Sequence, residues 1–323
     1  MIKKILKNKN NIILFAITIV VYALVMILVN AELLSRQMTS IIVPVCVNVM
    51  LAVSLCLIVG FLGELTLGHA SFMSIGAYTG ALITMNLTTL PSPVAFALAL
   101  VAGGLMAGLF GVLIGVPVLR LKGDYLAIVT LGFGEIIKSI INSLTITGGA
   151  AGLSNIPKYS TYKQFTLIYI IMILMILLIA NLVNSRHGRA ISSIRDNYIA
   201  AEATGIPVSR FKVIAFVISA VLAGIAGVIY AHNVGILKPG NFDYNKSIEI
   251  LVMVVLGGMG NIKGSIIAAV ILTLLPEVLR GLDDYRMLMY AVVLIAMMIF
   301  NNSAFKTRLL EKRNLKSSEK EAE

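Results

Sequence analysis

Residues 93–116 read PVAFALALVAGGLMAGLFGVLIGV, 24 residues without a charge. About 20 consecutive apolar residues are enough to cross the hydrocarbon core of a bilayer as a helix. Working outward from this run, comparable runs stand at about 11–30, 41–60, 70–87, 125–142, 166–184, 211–234, 247–260, 264–279 and 287–302. The sequence therefore predicts an all-α, polytopic membrane protein of about ten spans. Basic tails over 1–10 and 303–323 flank a transmembrane domain over 11–302.

Composition points the same way. Of 323 residues, 59% are hydrophobic and 13% charged, whereas a soluble domain carries about 25% charged residues. That excludes a soluble enzyme, a disordered chain and a disulfide scaffold. The two cysteines, Cys46 and Cys56, lie ten positions apart on one apolar run, face different sides of a helix and cannot bridge each other. The net charge of +11 is concentrated in the two tails, with almost no aromatics interleaved. Basic residues beside apolar helices are topology signals, not a nucleic-acid footprint. With the N-terminus inside and ten alternating spans, eighteen Lys and Arg fall inside and seven outside, so both termini are expected in the cytoplasm. The first run also resembles a signal peptide ending near Val29-Asn30-Ala31. Its length, about 18 residues against about 7–15 for a signal core, favours an uncleaved span.

Several residues stand out against this apolar background. Gly104, Gly108, Gly111 and Gly115 share one helix face, and Gly76 and Gly80 repeat the spacing. Small residues so placed let helix backbones approach closely in lipid, either within one subunit or at a subunit interface that slides in gating. Glu135 lies eleven residues beyond Asp124, about 16 Å along the helix. Lys138 follows on the same face, as a structural ion pair or as part of a pathway, since intramembrane charges face a bundle interior or an aqueous cavity. The stretch Gly63–Phe72 places Thr66, Gly68, His69 and Ser71 where lipid-facing residues would be apolar. It is either a buried packing turn or a broken helix offering N–H groups to an anionic substrate group. Gly257, Gly258 and Asn261 carry the same two alternatives.

The connection over 185–210 is amphipathic. Ile191, Ile194, Tyr198 and Ala201 recur at helical spacing among Arg189, Arg195 and Glu202, and Gly205 and Pro207 end the pattern. The helix expected at about 189–205 either lies on the membrane or docks into a partner's groove. No G-x-x-x-x-G-K-[ST] or H-E-x-x-H motif occurs, and His69, His187 and His232 stand in separate segments. Neither a catalytic residue nor a metal site nor a cofactor is expected in this chain.

Four blocks carry a family resemblance. They are Leu67-Gly68-His69-Ala70-Ser71-Phe72-Met73-Ser74-Ile75-Gly76-Ala77-Tyr78, Gly123-Asp124-Tyr125-Leu126-Ala127 through Gly134-Glu135-Ile136, Gly188-Arg189-Ala190 through Glu202-Ala203-Thr204-Gly205, and Gly257-Gly258-Met259-Gly260-Asn261. With them the chain resembles the LivM-type permease of branched-chain amino acid ABC importers over nearly its whole length. The resemblance implies a multi-pass protein of the bacterial inner membrane forming half of a pathway for hydrophobic amino acids. It also implies a LivH-type partner permease, an external substrate-binding protein and two P-loop ATPase subunits that bind the ATP and Mg. The segment 189–205 would be the coupling helix. Permeases for urea and other small solutes look similar. An ion-driven secondary transporter is the rival class, and would need intramembrane acids on several helices.

Overall fold

The computed structural model describes residues 18, 20–27, 29, 31, 35–87, 90–121, 123–279, 285, 288, 291–292 and 295. The basic tails, half of the run at 11–30 and most of that at 287–302 lie outside the described residues. The chain is all-α. Between residues 36 and 278 its α-helices are α1 (Arg36–Cys56), continued by a π-helical turn (Leu57–Leu62), α2 (His69–Asn86), α3 (Ser92–Val118), α4 (Asp124–Ser143), α5 (Phe165–Asn184), α6 (Arg186–Asp196), α7 (Tyr198–Ala203), α8 (Val208–Val234), α9 (Tyr244–Gly257) and α10 (Ile262–Val278). Among the described residues, five helical segments are long and apolar enough to cross a membrane: Met38–Leu62, Ser92–Val118, Asp124–Ser143, Tyr162–Asn184 and Val208–Val234.

The runs at 70–87, 247–260 and 264–279 are not among these five; the first forms α2 over almost its expected extent, and the other two depart from full spans. The last two form α9, of 14 residues, and α10, of 17. At 1.5 Å per residue, α9 is about 21 Å long, short of the roughly 30 Å hydrocarbon core. The two helices make a tight hairpin instead. A Cβ added at Gly264 would run into the carbonyl of Gly257, so the backbones touch where they cross.

Helix α8 is the centre of the bundle and is packed through glycine on two sides. A Cβ on Gly76 would enter the backbone of Gly224, one on Gly227 would enter that of Met73, and Gly80 faces Val228. These contacts, with Thr84 bonded to His232 at 3.0 Å, run α2 parallel to α8. On α3, Gly104 faces Ile225, Gly108 faces Val221, Gly111 faces Ala220 and Gly115 faces Phe216, the descending order of an antiparallel pair. In lipid, helices associate by close packing rather than by hydrophobic transfer. All six expected packing glycines therefore line a seam within this one chain.

Loop contacts separate two ends of the bundle. At the near end, Arg195 donates to the carbonyl of Gly60 at 2.9 Å, Lys212 pairs with Glu64, and Gly260 seats on Gly60. At the far end, Leu153 and Leu237 form an antiparallel bridge and Asn233 donates to the Ser160 carbonyl at 2.7 Å.

The helix expected over 189–205 is two helices. Ser185 caps α6 by accepting from the Gly188 N–H, and Asn197, in extended conformation, caps α7 by accepting from the Ile199 and Ala200 N–H groups. Asparagine competes with helix continuation by bonding neighbouring backbone in this way. An amphipathic spacing that runs through position 197 does not reveal the break.

Candidate translocation site

The extended stretch Gly63–Gly68 leads from the near end into the bundle. Glu64 is tied to Lys212 at the start of α8. Further along, Leu67 N–H donates to Thr130 Oγ1 at 3.1 Å, and Gly68 presses on the Thr130 carbonyl, where a Cβ would not fit. Helix α2 opens in the interior. His69 Nε2 lies 2.9 Å from Ser54 Oγ, and the Ser54 carbonyl accepts from Ser219, eleven residues into α8. That puts the first turn of α2 about 16 Å along the central helix from its near end.

A helix N-terminus carries unsatisfied N–H groups that attract anions. Here protein partners occupy several of them. Ala70 N–H donates to Ser247 Oγ at 3.0 Å, and Ser71 N–H donates to the Gly68 carbonyl at 3.1 Å. Thr66 is buried, and its hydroxyl accepts from Gly68 N–H.

Helix α4 carries Glu135 and Lys138 past this point. Lys138 Nζ donates to Glu135 Oε2 at 3.1 Å, with side chains 32% and 43% exposed for Lys138 and Glu135 respectively. Both line a cavity of about 510 Å³ at the far end, with Ser139, Asn142, Lys238 and Asn241. Glu135 also borders a narrower space that continues inward past Ser71, Leu131, Tyr244 and Ser247, too tight to admit a water molecule. Gly134 permits this approach, since a Cβ there would stand 2.9 Å from Ser71 Oγ. The structure thus brings Glu135, Lys138, Ser71, Gly68, His69 and Thr66 around α4 and the first turn of α2.

Gly257, Gly258 and Asn261 lie elsewhere. They make the α9–α10 turn, with Gly258 at φ 90° and Asn261 capping α10 by accepting from Gly264 N–H at 3.2 Å. The turn is held beside Gly60 and Arg195, which gives it a packing role at the near end. Sequence reasoning missed Thr130, Ser247, Ser54 and the Glu64–Lys212 pair. Ser54 and Thr130 are single polar residues in apolar runs, and Ser247 stands among Asn245, Lys246 and Glu249; both settings mark a satisfied hydroxyl equally well.

Helices α6 and α7 stand at the near end. Ile191, Ile194 and Ala201 are buried in the chain's own core. Tyr198 and Ile199 are 40% and 63% exposed. The face grouped by spacing thus divides: three of its four members turn inward, because the bundle itself supplies the apolar surface that covers them. Arg195 reaches from α6 to the π-helical turn, bonding the Gly60 carbonyl while its guanidinium holds Asp196 at 3.0 Å.

Spanning helices, an interior helix break and a charged cavity leading toward it define a polytopic helical permease. The model of the family described as "Branched-chain amino acid transport system / permease component" matches residues 37–300, and the chain belongs to that family. It is similar to the high-affinity branched-chain amino acid transport system permease protein LivM of Escherichia coli (strain K12), 35% identical over 300 residues, covering 83% of this chain and 69% of that protein. LivM of Salmonella typhimurium (strain LT2) is 33% identical over 323 residues, covering 90% and 75%. The probable LivM of Methanocaldococcus jannaschii is 25% identical over 198 residues, covering 58% and 57%. No solved structure matches.

Proposed function

We propose that this chain is one of two permease subunits of an ABC importer for branched-chain amino acids in the bacterial inner membrane. Its partners are a second, LivH-type permease, two P-loop ATPases and an external binding protein that delivers the substrate. ATP and Mg bind to the ATPases. The observation that carries the reading is the family match over 37–300, supported by the two LivM relatives that align with most of the chain.

The geometry supports the same division of labour. Arg120, Arg186, Arg189, Arg195, Arg210, Lys212 and Lys263 belong to the near end, against Lys158, Lys163 and Lys238 at the far end, while Lys246 is held further in by Asn48 and Glu249. Cytoplasmic loops carry the excess of Lys and Arg, so the near end faces the cytoplasm and the cavity faces outside. The exposed part of α6–α7 is then presented to the ATPases. Arg195 links it to the π-helical turn from which the stretch into α2 departs. Movement of α6–α7 would shift the balance between inward- and outward-open states, which differ in their contacts with substrate and ATPase.

The test is reconstitution of both permeases with both ATPases in proteoliposomes supplied with loaded binding protein. ATP-dependent uptake of leucine, isoleucine and valine is expected. Uptake driven by an ion gradient without ATP would overturn the mechanism. Uptake of urea or another small solute in place of these amino acids would overturn the substrate.

A further inference from the structure

The cavity at the outer end of α4 has a lining suited to a ligand carrying both charges. Glu135 supplies one carboxylate, and Lys138 and Lys238 supply two ammonium groups. The Glu135–Lys138 pair satisfies itself at 3.1 Å. No carboxylate among the described residues lies within ion-pair distance of Lys238, so the cavity carries an excess positive charge. Asp243, which borders the narrower space further in, is already engaged, accepting from Lys246 N–H at 3.2 Å and from Asn245 at 3.0 Å.

A volume of about 510 Å³ falls within the range of small-molecule pockets, roughly 300–1,000 Å³. Ionisable residues at such depth are costly unless paired, and they mark substrate pathways in membrane proteins. We propose that this cavity is a transfer site for a zwitterionic amino acid, in which Glu135 receives the α-ammonium and Lys238 and Lys138 receive the α-carboxylate. This deepens the import reading above and rests on it.

The exchange conserves charge pairing. The incoming ammonium replaces Lys138 on Glu135, and Lys138, released, joins Lys238 on the incoming carboxylate. A ligand with a carboxylate alone leaves Glu135 and Lys138 paired as before and gains only Lys238. A ligand with an ammonium alone frees Lys138 without giving it a partner. Inward of the pair the space closes between Leu67, Leu131, Ser71 and Ser247. The site therefore selects the zwitterionic head, and the constriction holds the ligand at the outer side.

The experiment uses the whole importer complex in nanodiscs, without binding protein. Ala150 lines the cavity and is exposed, and Cys46 and Cys56 are both buried. An Ala150→Cys variant therefore reports on the cavity through its rate of maleimide labelling, read on this chain by mass. Leucine should slow labelling, while 4-methylpentanoate and 3-methylbutylamine should need at least about tenfold higher concentration for equal protection, a difference of about 1.4 kcal/mol. Adding Glu135→Gln should raise the leucine midpoint at least about tenfold. Gly132→Ala, on the same helix but outside the cavity lining, should leave the midpoint within about twofold, and so separates charge recognition from damage to the fold. Absence of leucine protection in a complex that imports leucine with ATP overturns the site and leaves the import reading standing. An unchanged midpoint in Glu135→Gln, or equal protection by the two single-charge analogues, overturns it as well. A complex that fails to import any branched-chain amino acid overturns the import reading instead.

Discussion

At the scale of single residues, the fold depends on places where a side chain would not fit. Gly227 is one such place. A Cβ there would enter the carbonyl of Met73, a backbone atom that cannot step aside as a side chain can. Gly227→Val should destabilise the protein by about 3 kcal/mol, the upper part of the usual overpacking range. The change should appear as a lower melting temperature and poorer yield in detergent. Gly132 is the control, since nothing stands within 4 Å of its Cβ position and it lies inside α4. Gly132→Ala should be neutral, or stabilising by up to about 1 kcal/mol through helix propensity. Equal damage from both would mean that the close α2–α8 crossing is not what holds the bundle. Arg195 acts differently. It caps a carbonyl at the end of the π-helical turn with one arm and holds Asp196 with the other. Lysine offers a point charge rather than a planar fork. Arg195→Lys should retain some of the stimulation of ATP hydrolysis by loaded binding protein, and Arg195→Gln should lose most of it, roughly tenfold, with the ATPases still bound. Full stimulation in Arg195→Gln would remove the clasp from the coupling route.

At the scale of elements, α6 and α7 divide burial from exposure. Ile194 is buried, and Ile194→Ser removes core volume and leaves a hydroxyl there, costing about 2–5 kcal/mol by analogy with large-to-small core changes. Its expected readout is low abundance in the membrane. Ile199 is 63% exposed, so Ile199→Ser should alter stability by no more than about 0.5 kcal/mol while weakening co-purification of the ATPases. Undiminished co-purification and hydrolysis would move the docking surface to the neighbouring connection at Arg120–Asp124. The spacing of Ile191, Ile194 and Ala201 correctly signals a buried face, but periodicity says nothing about what buries it. That answer belongs to the π-helical turn, far away in sequence, and to α8. The long spans were legible because lipid permits only helices whose backbone is satisfied internally. Ser92–Val118 and Val208–Val234 lie within a few residues of the runs at 93–116 and 211–234. The hairpin of α9 and α10 was not legible as such. Its lengths are set by the Gly257–Gly264 contact and by the seat on Gly60, neither of which leaves a mark in hydropathy. At the candidate site, the polar composition of Gly63–Phe72 signalled an irregular segment. That α2 begins deep in the bundle follows from Thr130, Ser54 and Ser247, on three other helices.

For the whole molecule, the two ends of the bundle can be told apart without any charge count. Leu153 bridges Leu237, and Asn233 reaches Ser160, so the connections over 143–165 and 235–243 share one end. Arg195 reaches Gly60 and Lys212 pairs with Glu64, so the connections over 60–68 and 185–212 share the other. Alternating spans demand the same grouping, and the proposed orientation, drawn from the uneven distribution of Lys and Arg, puts the second group in the cytoplasm. Two single cysteines test this directly. Tyr162 belongs to the first group and Ala203 to the second, and both are exposed. The native Cys46 and Cys56 are buried, so background labelling of this chain should be low. In intact cells, a membrane-impermeant maleimide should label Tyr162→Cys and leave Ala203→Cys untouched until the membrane is opened. In inside-out vesicles the pattern should reverse. Labelling of both from the same side would break the alternation on which the bundle is built. A clean reversal, with Ala203 outside, would leave the fold intact but turn the Glu135 cavity toward the cytoplasm. The chain would then receive its substrate at the α6–α7 end, and the import direction would fail with it.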